Sequence, residues 1–197
     1  MSSLAWSHGA TEAALRVSQP SPCPVVWAAM EAAEAVELLA ALEGAGIPYW
    51  LAGGWGIDAL LGQETRPHKD IDLLVDSSAL PTVEHVLSER GFRRADESEW
   101  PAFLILRDDA GRQVDLYLVE FDQQGECWQR FSARRWDHFS RQELSGSGRI
   151  HDHLVRCLSA EGQFRQFLGY EWGEPAIHDL NKLRDTFGLA LPPGIDS

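Results

Sequence analysis

The period of apolar and polar positions changes several times along the chain, and each change marks an element. Tyr49–Ala52 is a short apolar run that turns at Gly53 and Gly54. Trp55, Ile57, Leu60 and Leu61 then recur on one side of a short helical stretch, which Gly62 ends. A polar, turn-forming loop with Thr65, Arg66, Pro67, His68 and Lys69 follows. Beyond it the pattern is strictly two-fold: Asp70, Asp72 and Leu74 on one face, Ile71, Leu73 and Val75 on the other. The predicted order is strand, glycine turn, short helix, loop, strand.

Upstream, Val26, Met30, Ala33, Val36, Leu39, Ala40 and Leu42 recur at helical spacing, predicting a helix over 25–43 that Gly44 and Gly46 stop. Downstream, the pattern predicts a helix over 81–90 closed by Gly91 and a short strand at 92–94. Phe103–Arg107 and 113–119 then form the arms of a hairpin around D-D-A-G-R. The stretch 121–149 is polar and irregular, with Trp128, Phe131, Trp136 and Phe139 interspersed, residues suited either to stacking on a ligand or to a satellite core. A strand over 154–158, a helix capped by Ser159 and running to 168, and a last helix over 177–187 complete the chain, with Gly188, Pro192 and Pro193 after it. Residues 1–24, rich in Ser, Ala and Pro, are expected to be a mobile leader. The expected organisation is a leader over 1–24, a core over 25–120, and an irregular linker plus helical region over 121–197 that completes a cleft. The fold class is mixed α/β (α+β): a mixed sheet with flanking helices and a small helical C-terminal region.

The alternation places Asp70 and Asp72 on one face of one strand. Two neighbouring carboxylates repel unless a cation or solvent compensates them. Mg²⁺ is a natural partner, since it takes oxygen ligands and binds one or two carboxylates together with substrate phosphates. Gly53 and Gly54 let backbone N–H groups approach an anion at a helix N-terminus. Taken alone, D-x-D also describes a solvated acidic strand edge; joined to a Gly-Gly turn by one helix and one loop, it points to a phosphate and metal site. Asp115 shares a face with Tyr117, opposite Val114, Leu116 and Leu118. If that arm lies beside the Asp70–Asp72 strand, Asp115 is the third carboxylate of a cluster; otherwise it is a solvated strand residue.

Charge narrows the partners. The 197-residue chain carries a formal net charge of −13, which argues against a nucleic-acid binder and suits a cationic small molecule. Three cysteines, Cys23, Cys127 and Cys157, show no C-x-x-C spacing, which argues against a disulfide framework or zinc ribbon. With neither a signal-peptide pattern nor a long apolar span, a cytoplasmic location is expected. His151-Asp152-His153 and His178-Asp179 are weaker candidates for metal binding, the former also readable as an exposed turn.

The residues L-A-G-G-W-G-I-D-A-L-L-G and T-R-x-H-x-D-I-D, over 51–72, resemble the antibiotic nucleotidyltransferases that modify lincosamides and 2″-type aminoglycoside hydroxyls. These belong to the DNA polymerase β-like nucleotidyltransferase superfamily. A weaker likeness extends to Asp115 and to 155–192. The resemblance implies Mg²⁺-dependent transfer of a nucleoside monophosphate, AMP above all, from ATP or another nucleoside triphosphate to a hydroxyl of a small cationic antibiotic, conferring resistance. The net charge of −13 leans slightly towards aminoglycosides, since polycations gain more from it. It implies two metal ions held by Asp70, Asp72 and Asp115, with Asp115 as ligand, base or both. Gly53, Gly54, Thr65, Arg66, His68 and Lys69 fall on the nucleotide-binding pattern. Many superfamily members carry Gly-Ser at the turn, whereas Gly54 supplies no hydroxyl. The rivals are a D-x-D glycosyltransferase, for which too little sequence precedes Asp70, and an inactive nucleotidyltransferase fold serving as an antitoxin or binding module.

Overall fold

The computed structural model describes residues 28–98, 100–130, 136–168 and 172–190; the expected leader, Phe131, Pro192 and Pro193 lie outside them. In chain order the elements are α1 (Ala32–Gly44), β1 (Tyr49–Ala52), α2 (Gly53–Leu61), β2 (Asp70–Asp76), α3 (Leu80–Ser88), β3 (Arg93–Asp96), β4 (Phe103–Arg107), β5 (Gln113–Phe121), β6 (Cys127–Arg130), β7 (Trp136–Phe139), β8 (Gly146–Ile150), β9 (His153–Cys157), α4 (Ala160–Gln166) and α5 (Glu174–Phe187).

The alternating run becomes the middle of a mixed sheet of order β3-β4-β5-β2-β1-β9-β8, with β6 paired to β5 and β7 to β6. β2 runs antiparallel to β1 and parallel to β5. The predicted hairpin forms as β4–β5. Ile71, Leu73 and Val75 turn to the main core, where they share a cluster with Val114 and Leu116 of β5, Leu38, Leu39 and Leu42 of α1, and Val83 and Leu87 of α3. Burying such a side chain contributes roughly 1.5–3 kcal/mol, so this face fixes the register of β2 and directs Asp70 and Asp72 to the other face.

Three expectations need correction. α1 begins at Ala32, not 25, because the Met30 N–H donates to the His68 carbonyl (2.8 Å), which draws the preceding segment onto the 65–69 loop. The stretch 121–149 is not an irregular linker: it supplies β6, β7 and β8. The C-terminal third is not a separate helical layer either, because β9 pairs in parallel with β1 and carries β8 into the sheet. Gly146 and Gly148 make this possible. A Cβ on Gly148 would run into the Ala59 carbonyl of α2, and one on Gly146 into the backbone of Leu158. The glycines are there for close approach of backbones.

α2 is wrapped from the other side by α4 and α5, with Ile57, Ala160 and Leu183 in one small cluster. Ser159 caps α4 by accepting from the Gly162 N–H. A second cluster gathers Leu74, Val119, Cys127 and Phe139, with Trp50 and Phe121 packed against it, so Phe139 serves as core. Among the described residues no helix is long and apolar enough to cross a membrane.

Candidate active site

Register brings the carboxylates together. Asp72 of β2 lies opposite Asp115 of β5, and Asp70 opposite Gln113, so all three carboxylates share one face. On the other side of β2, Ala52 lies opposite Asp72, which sets the Gly53–Gly54 turn beside the cluster. Gly53 has φ +60°, and a Cβ there would occupy the space of the Asp72 carboxylate. Only glycine fits this position without strain.

The cluster is electrostatically loaded. Burial, then the charges of Asp70 and Asp115, push the Asp72 carboxyl well above the ordinary carboxylate range, although Tyr117 hydrogen-bonds it. Burial and the Asp70 charge raise Asp115 to about 7. Burial raises Asp70 as well, against the pull of Arg66, His68 and Lys69. Asp115 is buried, and Gln113 Nε2 donates to its Oδ1 (2.7 Å), while Arg107 Nε donates to Gln113 Oε1 (2.8 Å). Among the described residues no group of three His, Cys, Asp or Glu side chains is placed to hold a metal ion by itself. Mg²⁺ needs fewer protein ligands: it is usually bound through one or two carboxylates and completes its shell with waters and phosphates, so the pair Asp70 and Asp72 on one face fits it.

Beside the carboxylates, α2 and the 65–69 loop form the side expected to receive phosphate. No side chain caps the N-terminus of α2, so its first N–H groups are available to an anion. A Cβ on Gly54 would meet the His68 ring and lie 2.6 Å from Arg66 Nη2. The departure from Gly-Ser thus has a steric cause: the loop closes over the turn so tightly that serine has no room.

The loop is held by a residue the sequence reading passed over. Asp58, buried in α2, accepts from the Thr65 hydroxyl (2.7 Å) and N–H (3.1 Å) and bonds His68 Nε2 at 2.5 Å. Burial alone would raise the Asp58 carboxyl, but the His68 and Thr65 hydrogen bonds hold it below its ordinary value. His68 is buried with its ring 4.5 Å from that of Trp55. Thr65 and His68 are therefore tied to Asp58 beneath the loop. Lys69 is exposed. Arg66 stays at the turn, its Nε and Nη2 donating to Asp179 Oδ1 (2.9 Å) and Oδ2 (2.5 Å) of α5. A buried aspartate one helical turn from the end of an apolar stretch was the signal for Asp58.

The other candidates lie elsewhere. His151 is exposed in the β8–β9 turn with φ 50°, and His153 Nε2 bonds Glu43 (3.0 Å). The reading of His178-Asp179 as a metal pair is weakened by the Arg66–Asp179 fork.

A model of the aminoglycoside-2″-adenylyltransferase family matches residues 34–183. A 2″-aminoglycoside nucleotidyltransferase of Escherichia coli is 38% identical over 160 residues, covering 78% of this chain and 82% of that protein. A lincosamide resistance protein of Staphylococcus haemolyticus is 26% identical over 139 residues, covering 70% of this chain and 84% of its own length. The crystal structure of the lincosamide adenylyltransferase LnuA with lincomycin bound superposes with a TM-score of 0.70 at 26% identity, over 77% of this chain and 95% of that one. These matches set aside the glycosyltransferase and antitoxin rivals. With the carboxylate face and its glycine turn in the middle of the matched region, the chain belongs to the aminoglycoside-2″-adenylyltransferase family and is an antibiotic nucleotidyltransferase.

Proposed function

We propose that the protein transfers AMP from Mg²⁺-bound ATP to a hydroxyl of a small cationic antibiotic, an aminoglycoside or a lincosamide, and so confers resistance. The observation that carries this reading is the register of β1, β2 and β5, which sets Asp70, Asp72 and Asp115 on one face beside the Gly53–Gly54 turn.

The acceptor oxygen attacks the α-phosphorus, the bond from that phosphorus to the bridging oxygen breaks, and pyrophosphate leaves. Asp70, Asp72 and Asp115 would hold Mg²⁺, two ions in this reading, and the metal would supply charge neutralisation for the displacement. The N–H groups of Gly53 and Gly54 and the Arg66 guanidinium receive the triphosphate, with Lys69 reaching it from the loop. Thr65 and His68 act on the nucleotide through Asp58, by fixing the shape of that loop. Asp115 takes the proton of the attacking hydroxyl, a modest demand on a carboxylate because a metal ion beside that hydroxyl would acidify it. An in-line attack needs the acceptor opposite the leaving group. The pyrophosphate lies towards α2, so the acceptor enters from the β5–β4 side, over Tyr117 and Phe103, whose rings pack at 4.9 Å.

The test is mass spectrometry of a panel of aminoglycosides, lincosamides and neutral hydroxylated antibiotics after incubation with ATP and Mg²⁺. The expected result is a gain of one adenylyl group on a cationic member, abolished by chelating the metal. Modification of none of the cationic members, or unchanged turnover in excess chelator, would overturn the reading.

A further inference from the structure

Arg66 and Asp179 are 113 residues apart in sequence, yet they form the tightest cross-link between the nucleotide loop and α5. Asp179 is 2% exposed, flanked by fully buried Leu180 and by Leu183, which packs on Ile57 and Ala160. Burying a carboxylate is costly unless it is paired, and replacing such a pair by apolar side chains is often neutral or stabilising. Its retention here calls for a reason beyond holding a helix.

The geometry of the guanidinium supplies one. It has five N–H donors in a planar fork. Nε and Nη2 donate to the two oxygens of Asp179, and Nη1 donates to the Pro67 carbonyl at 3.2 Å. The side-on edge is thus taken by Asp179, and after the Pro67 bond one N–H remains on each of Nη1 and Nη2, the latter against Gly54. Those two remaining donors suit a second anionic acceptor, such as a phosphate.

We propose that Asp179 is a positioning residue: it grips Arg66 by one edge so that the other faces the triphosphate at the Gly53–Gly54 turn, which makes nucleotide affinity depend on α5 being docked. This rests on the nucleotidyltransferase reading above. The rival roles for the same contact are a mere staple for α5 and a latch that competes with phosphate for Arg66.

Calorimetric binding of Mg²⁺ with α,β-methylene-ATP, without acceptor, separates the three. It is measured on the parent, Asp179→Asn, Asp179→Glu, Arg66→Ala and the double variant Arg66→Ala/Asp179→Asn, with a melting curve for each. Losing the fork is expected to weaken nucleotide binding by about tenfold or more in Asp179→Asn. Asp179→Glu, which keeps both oxygens, recovers part of that loss, and the double variant binds no worse than Arg66→Ala alone. Unchanged affinity in Asp179→Asn with a lowered melting temperature makes the contact a staple and overturns the proposal. Tighter binding makes it a latch and overturns it too, as does an equal loss in the Arg66→Ala background. Should Asp179→Asn not fold, Asp179→Glu carries the same test, since a displaced fork still weakens binding unless Arg66 is absent. If Arg66→Ala binds like the parent, the assignment of Arg66 to the triphosphate fails along with the proposal, while the three carboxylates and the panel experiment stand or fall separately.

Discussion

Asp72 and Asp115 face each other across two parallel strands, but their environments set them different tasks. Asp72 is hydrogen-bonded by Tyr117 and feels the charges of both other carboxylates, which in our reading makes it the shared metal ligand. Asp72→Asn relieves the burial cost and mutual repulsion that push this carboxyl up, so the fold is expected to survive with an unchanged or higher melting temperature while metal-dependent turnover is lost. If Asp115 is the base, as proposed, Asp115→Asn is expected to lower kcat by roughly 10²–10⁴ with near-normal nucleotide binding and little rescue by excess Mg²⁺. Full activity in either variant would return that residue to a plain strand position. Gly54→Ser tests the turn from the opposite side. It restores the hydroxyl common in the superfamily, yet its Cβ must displace the His68 ring and Arg66. Such overpacking costs about 1–3 kcal/mol, so loss of nucleotide affinity, not gain, is expected in a binding titration.

The same cluster sets a pH dependence with a definite sign. Asp115 titrates near 7 and Asp70 and Asp72 are also raised, so the metal-free folded chain keeps protons that the unfolded chain releases near the ordinary carboxylate value of about 4. The stabilisation from these groups is full below that value and is lost as pH rises through about 7. Metal takes the ionised carboxylates, so its stabilising effect grows over the same window. Melting curves from about pH 5 to pH 8 are expected to show the metal-free protein losing stability and the gain from saturating Mg²⁺ increasing. Asp115→Asn is expected to flatten both trends. A Mg²⁺ gain independent of pH would show that these carboxylates do not bind the ion.

At the scale of elements, legibility followed whether local pattern or distant contact decided the structure. β2 was readable to the residue because Ile71, Leu73 and Val75 are buried in strict alternation with Asp70 and Asp72. α2 was readable because Gly53 and Gly62, at φ +60° and +69°, punctuate it. β8 was not. Its G-S-G composition has the local signature of a loop, and it is a strand because it pairs with β9 while α2 packs against it. Nothing within ten residues of Gly148 reports the Ala59 carbonyl it must admit. β6 and β7 were hidden by polar residues such as Gln129, which is buried and bonds the Ala102 carbonyl (3.1 Å). At the site, the carboxylates and glycines were legible, while Asp58 and the Asp179 grip on Arg66 were not, since each depends on a partner brought by the fold. Gly148→Ala tests the packing directly. Its methyl group meets backbone that cannot rotate away, so destabilisation of about 1–3 kcal/mol is expected in a denaturant titration. A variant as stable as the parent would show that β8 can lift from α2 at no cost.

For the molecule as a whole, the formal net charge of −13 acts at distances the site does not reach. The two substrates carry opposite charges: the nucleotide is anionic, the acceptor in our reading cationic. A field of one sign speeds the approach of the acceptor and slows that of the nucleotide, and both effects fade as salt shortens the Debye length from about 14 Å at 0.05 M towards 4 Å at 0.5 M. The Arg66 guanidinium, which in our reading receives the phosphate, is partly buried, so its contacts are less sensitive to screening. Raising salt across that range is therefore expected to increase KM for the acceptor several-fold, leave kcat nearly constant, and lower or leave unchanged KM for the nucleotide. The divergence of the two constants is the informative readout, because a general effect of salt on folding or metal binding would move both the same way. Aminoglycosides, as polycations, should show a steeper acceptor slope than lincosamides, so the slope also ranks the two acceptor classes. A flat acceptor KM, together with faster turnover of a neutral acceptor than of any cationic one, would mean that the acidity of this chain plays no part in choosing its substrate.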